Sequence, residues 1–302
     1  MNRGFLYAIG AYILWGFLPV YWKALQAVPA AEIVLHRIIW SLVFLVILLS
    51  VRHRWTWLAG LRAQRQTLII LAAAAGLLAV NWLTYVWGVT SGYVVETSLG
   101  YFINPLFSVL LGVVFLQEKL RLWQWVAVGF ATLGVLYLTF GYGSFPWIAL
   151  TLALTFGIYG LLKKKVRLEA TESLTAEMAI LTIPALILFS LLVVRGDNAF
   201  LQTSAGTDLL LIGTGAITAV PLILFGAGAR LIPLSTIGLL QYIAPTIQFL
   251  LGVFLYHEAF TTDRLIGFSL IWLALAIFAL DNVRRQRQNH RRQKAVSSTL
   301  EA

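Results

Sequence analysis

Few side chains in this sequence can hold a charge or a directed hydrogen bond inside an apolar stretch, and they fall into four groups. Glu32, His36 and Arg37 form the first; Asn81, Trp82 and Tyr85 the second; Glu96, Tyr101 and Asn104, just ahead of Pro105, the third; and Gln241, Tyr242 and Gln248, around Pro245, the fourth. Ionisable groups within a membrane span are costly unless paired or facing a cavity, which makes them candidates for function. Arg37 offers a planar fork of donors that suits a carboxylate or another electronegative group, and His36 beside it adds hydrogen bonding. Glu32 and His36 are four residues apart and share a helix face. Either Glu32 or Glu96 is the expected charge partner of Arg37 or the expected proton site. The alternative for Arg37 is a purely internal ion pair, or snorkelling toward the headgroups. Asn81 and Asn104, taken singly, could be glue between helices; taken with their aromatic neighbours they read as a lining. Pro105 and Pro245 each free a carbonyl and invite a kink, so both are expected at hinges or kinks.

None of these groups makes a convergent catalytic set. The chain has no cysteine, and three of its four histidines, His53, His257 and His290, lie outside apolar runs or at their ends. A shared metal site with His36 is therefore not expected. No Walker-type glycine loop occurs, which argues against direct use of ATP. The expectation is no enzyme, no metal and no cofactor.

The elements that must position these residues are membrane helices. The chain has 302 residues, 60% hydrophobic and only 11% charged, far from the roughly 25% charged of soluble domains. Runs of about 20 apolar residues, enough to cross the hydrocarbon core, predict ten spans at 4–22, 30–50, 67–90, 93–116, 122–140, 145–162, 174–194, 208–229, 232–256 and 262–281. The first run follows Arg3 but continues to Trp22 without a small-residue cleavage site, so it is expected to be retained as a span. Ser91-Gly92 and Gly141-Tyr142-Gly143-Ser144 supply short turns. Trp55, Trp57, Trp123, Trp125 and Trp147 are expected as interfacial anchors, and Trp15, Trp40 and Trp87 chiefly as packing. The net charge of +10 resides in loops and a tail, so it reads as a topology signal and not as a nucleic-acid surface. Eighteen of the 22 Lys and Arg residues fall in loops and termini on one side; Lys23, Arg195 and Arg264 fall on the other. The rule that cytoplasmic loops are positive then places both termini in the cytoplasm.

The sequence also repeats. At an offset of 140 residues Ala79-Val80 matches Ala219-Val220, Gly88 matches Gly228, Pro105 matches Pro245, Leu110 to Val113 match Leu250 to Val253, and Glu118 matches Glu258. At an offset of 141, Gly16 matches Gly157 and Lys23 matches Lys164. The organisation expected is a first five-helix repeat at 1–142, a second at 143–283, and a basic cytoplasmic tail at 284–302. Five spans per half force the second half to insert upside down. Inverted repeats of this kind are a building plan of alternating-access transporters.

His36-Arg37-Ile38-Ile39-Trp40-Ser41, Asn81-Trp82, the run from Ser98 to Pro105, Tyr159-Gly160 with Lys163-Lys164-Lys165, and the run from Gln241 to Thr246 together resemble the drug/metabolite transporter superfamily, EamA type, RarD branch, over roughly residues 3 to 283. The resemblance implies an all-α integral membrane protein of ten helices with a central cavity lined mainly by the first four helices of each half. It also implies a place for Tyr159 on that cavity and a home in the bacterial inner membrane. The expected function is secondary transport, as an exporter of a small metabolite or drug-like solute; a receptor or assembly subunit without flux is the alternative. Expected partners are a small-molecule substrate, membrane lipids and a coupling proton, with no nucleic acid. Reporter fusions test the orientation: a C-terminal fusion should be active only as a cytoplasmic reporter, and periplasmic activity would reject both the even number of spans and their direction.

Overall fold

The computed structural model describes residues 3–61, 64–140, 145–256 and 262–300. Ten helical stretches in it are long and apolar enough to cross a membrane. The first half comprises α1 (Arg3–Ala24), α2 (Ala30–Val51), the one-turn α3 (Trp57–Leu61), α4 (Arg65–Thr90), α5 (Val94–Phe115) and α6 (Leu122–Phe140). The second comprises α7 (Trp147–Lys165), α8 (Ala170–Arg195), α9 (Ala205–Leu231), α10 (Leu234–Gln241), α11 (Ile243–Leu250) and α12 (Thr262–Leu300). A helix satisfies its own backbone, which is what a lipid environment requires; no strand occurs among the described residues.

Helix ends follow local chemistry. Glu169 and Glu172 form a capping box that starts α8 four residues earlier than apolarity alone predicts, and Ser204 accepts from the Thr207 N–H to start α9. Gly196, with φ of 73°, ends α8 in the left-handed region, and Gly92, with φ of 86°, makes the tight turn between α4 and α5. The expected Gly141–Ser144 turn, Arg62, His257 and Glu258 lie outside the described residues, as does the expected boundary at 142/143.

Two elements depart from expectation. The ninth span is not one helix: α10 stops at Gln241, α11 begins at Ile243, and a π-helical turn follows over Leu251–Leu255. Pro245 has no N–H to give the carbonyl four residues back, which belongs to Gln241, so the break falls where the proline removes the bond. Pro105, its repeat mate, sits within an unbroken α5. Secondly, α12 runs past the end of its apolar stretch and carries the expected tail in helical form to Leu300.

Small residues let the helices approach closely, as membrane interfaces require. A side chain at Gly228 of α9 would lie 3.3 Å from the Gly4 carbonyl of α1. α6 and α12 pack on each other at the periphery, while α1, α2, α4, α5, α7, α9 and the α10–α11 pair are in mutual contact. That inner ring surrounds a cavity.

Candidate functional site

The cavity, of about 180 Å³, is lined by α1, α2, α4, α5, α7, α9, α10 and α11. The expected residues Arg37, Asn81, Trp82, Tyr85, Tyr101, Asn104, Gln241 and Pro245 all face it. Arg37 of α2 reaches across to α9, where its Nε donates to Thr218 Oγ1 at 3.1 Å. Its guanidinium lies 4.5 Å from the centre of the Trp82 ring and 5.1 Å from that of Trp22. Such cation–ring contacts contribute roughly 0.5–2 kcal/mol, more when dry. No carboxylate among the described residues lies within 4.0 Å of it.

The two expected partners of Arg37 are engaged elsewhere, which corrects the charge-partner expectation. Glu32 is fully buried; one carboxylate oxygen accepts the Ala199 N–H at 2.7 Å, and the other accepts those of Ala199 and Phe200 at 3.0 and 2.9 Å. It therefore holds the loop between α8 and α9. Glu96 accepts the Ile148 N–H at 2.7 Å and so caps the start of α7. His36 also turns away from the cavity. Consecutive helix residues differ by about 100° in direction, so His36 shares a face with Glu32, at 3.6 Å, and not with Arg37. Its Nδ1 accepts from Trp40 Nε1 at 3.0 Å, and its ring packs on Phe189 and Phe200.

Tyr159 and Tyr242 lie behind the cavity wall and not on it. Tyr159 is fully buried and donates to Glu177 Oε2 at 3.0 Å, within a cluster where Lys163 meets Glu177 Oε1 and Ser173 Oγ, both at 2.7 Å. Tyr242 donates to the Phe102 carbonyl at 3.1 Å and ties α10 to α5. Pro105 is buried at that same contact, where a side chain at Gly238 would lie 2.5 Å from its carbonyl oxygen. Asn81 has both expected roles: it lines the cavity and donates to the Leu152 carbonyl and Thr155 Oγ1 of α7, each at 2.9 Å.

The sequence reading missed the wall supplied by α1. Tyr12, Trp15, Pro19 and Trp22 line the cavity, and their spacing of three and four residues makes one helical stripe. That spacing was the available signal. Trp15, expected as packing, meets Phe156, its repeat mate at an offset of 141, with ring centres 5.7 Å apart. Three polar atoms on the wall, Tyr12 Oη, Asn104 Oδ1 and Gln241 Oε1, have no hydrogen-bond partner among the described residues. Tyr101, two turns into α5, lines the cavity and is 40% exposed. The other end of the cavity is closed by Leu111, Leu161 and Leu234, all buried.

A central cavity with an unneutralised cation, walled by helices from both halves of a ten-span bundle, defines a membrane transporter. The model of the EamA-like transporter family matches twice, over residues 2–140 and 145–280, once for each half. The chain belongs to that family, in its RarD branch. It is 46% identical to Protein RarD of Streptomyces exfoliatus, over 99% of this chain and 95% of that one. It is 43% identical to Protein RarD of Escherichia coli K12, over 95% and 97%. The Chloramphenicol-sensitive protein RarD of Pseudomonas aeruginosa is 31% identical over 96% and 98%. A crystal structure 18% identical in sequence superposes with a TM-score of 0.69, covering 92% of this chain and 97% of the other, which shows the shared fold.

The separation of Glu32 from Arg37 is open to a double-mutant cycle. Glu32→Ala should lower stability by about 1–3 kcal/mol, because it strands the N–H groups of Ala199 and Phe200. Combined with Arg37→Ala, the effects should add to within about 0.5 kcal/mol, since the two residues share no partner. Thermal unfolding of the four variants measures this; recovery of stability in the double variant would restore the internal ion pair.

Proposed function

We propose that this protein is a secondary transporter that exports a small, partly apolar solute by alternating access, and that Arg37 receives an anionic or strongly electronegative group of that solute. The observation that carries the reading is the guanidinium itself: it sits in an apolar span with a hydroxyl and two rings as neighbours and no carboxylate among the described residues. Leaving a charge uncompensated at that depth is costly, and an anion arriving in the cavity would supply the compensation. The aromatic wall of Tyr12, Trp15, Trp22, Trp82 and Phe156 suits an apolar or aromatic body.

The family match and the relatives similar in sequence support transport as the class; direction and substrate are proposed here. The printed name of the Pseudomonas relative ties that protein to chloramphenicol, so drug-like solutes belong among the first to be tried. A coupling proton would need a carrier other than Glu32 or Glu96, both of which are engaged with backbone N–H groups.

Solute profiling of cells lacking or overproducing the protein supplies a candidate, and flux in proteoliposomes tests it. Hydrogen bonds to a charged group contribute about 1.5–3 kcal/mol, so Arg37→Ala should lower flux roughly ten- to hundredfold while the protein inserts and folds. Arg37→Lys should restore little, because an ammonium cannot reproduce the planar fork. Parental flux in Arg37→Ala would end this role for the residue.

A further inference from the structure

The end of the cavity opposite Tyr101 is closed by the C-terminal ends of α5 and α7 meeting the start of α10. Glu118, just beyond α5, is the only side chain from outside α10 that hydrogen-bonds its first residues among those described. Its Oε1 accepts the Leu234 N–H at 2.7 Å, and its Oε2 accepts the Ser235 N–H at 2.9 Å and the Ser235 hydroxyl at 2.7 Å. Lys164 of α7 lies 3.7 Å from Oε1 and donates to the Ile232 carbonyl at 2.9 Å, so it bridges α7 to the same junction. Gln117 holds a left-handed conformation, φ of 53°, to aim Glu118 at α10, a backbone state that is unfavourable for most residues. Gly112 keeps the contact tight: a side chain there would lie 2.6 Å from Glu118 Oε2 and 2.9 Å from the Ser235 N.

The internal repeat gives this junction a counterpart. Lys164 matches Lys23 at an offset of 141, and the first residue of α10, Leu234, matches the first residue of α5, Val94, at an offset of 140. Lys23 stands at the other end of the bundle, with its Nζ 3.7 Å from the centre of the Tyr256 ring; Glu258, the repeat mate of Glu118, lies outside the described residues.

Resting on the transport reading above, we propose that the Glu118 carboxylate, clasped to the start of α10 and buttressed by Lys164, is the lock that holds the α5–α7–α10 end shut and must part for solute to pass there. In the closed state it satisfies the N–H groups of α10 away from water. In the open state water reaches those groups, so loss of the carboxylate weakens the closed state more than the open one. The break between α10 and α11 at Tyr242 lets α10 swing without carrying the rest of the ninth span.

The absence of native cysteine makes the test direct. Leu161→Cys, in the apolar seal with Leu111 and Leu234, reports opening through its reaction with a water-soluble maleimide in nanodiscs; Leu111→Cys reports from the facing helix. Leu45→Cys, fully buried in α2, is the control. Glu118→Ala should raise labelling at 161 or 111 by about tenfold or more, the equivalent of one lost charged hydrogen bond, with position 45 unchanged. Lys164→Met should give a smaller rise. Unchanged labelling at both reporters, or an equal rise at position 45, would overturn the lock and leave Glu118 as a cap for stability alone. Proteoliposome flux of the cysteine-free parent is scored separately: selective labelling without flux keeps the lock and rejects transport, whereas flux without selective labelling rejects the lock and keeps transport.

Discussion

The cavity is organised around one electrostatic constraint: a guanidinium held inside an apolar bundle with no carboxylate within 4.0 Å among the described residues. Arg37 keeps one hydrogen bond, to Thr218, and two ring faces, those of Trp82 and Trp22. A hydroxyl and two aromatic quadrupoles attract a cation without neutralising it. The electrostatic site is therefore incomplete within the protein, and it is incomplete where eight helical segments converge.

The acidic residues explain why it can stay incomplete. Glu32, Glu96 and Glu118 are each spent on backbone N–H groups at a loop or helix start, at Ala199 and Phe200, at Ile148, and at Leu234 and Ser235. In lipid an unsatisfied N–H costs several kcal/mol, and a carboxylate is a strong acceptor for it. Glu177 is similarly committed, to Lys163, Ser173 and Tyr159. Broken or capped backbone thus takes up Glu32, Glu96 and Glu118, and Arg37 has no carboxylate within 4.0 Å among the described residues.

Much of this was legible in the sequence. Length and hydropathy located all ten spans, since apolar runs of this length have one stable form in a bilayer. The offset of 140 is the sequence signal for two halves, each of which the family model matches once. Eight of the expected site residues face the cavity because an amide, an arginine or a tyrosine in a span is costly enough to need a reason. Its partners were not legible. Glu32 and Arg37 are close in the sequence, but the helix turns one toward α8 and the other toward the cavity, and a backbone N–H at Ala199 carries no sequence signature. The aromatic stripe on α1 was hidden for the opposite reason: tryptophan and tyrosine in a membrane helix are ordinary, and only their spacing set them apart. Pro105 and Pro245 look alike in the repeat, yet only the second sits at a break, because the surrounding contacts decide whether a freed carbonyl bends a helix or is accommodated.

In the proposed mechanism Arg37 awaits an anion. Thermal stabilisation of the purified protein by pairs of small aromatic or aliphatic solutes, identical except that one member bears a carboxylate and the other its neutral carboxamide, tests that claim without any assumption about direction or coupling. The carboxylate member of at least one pair should raise the unfolding temperature, its amide should not, and the difference should vanish in Arg37→Ala. Equal stabilisation by both members, or a carboxylate preference that survives the loss of Arg37, would contradict it.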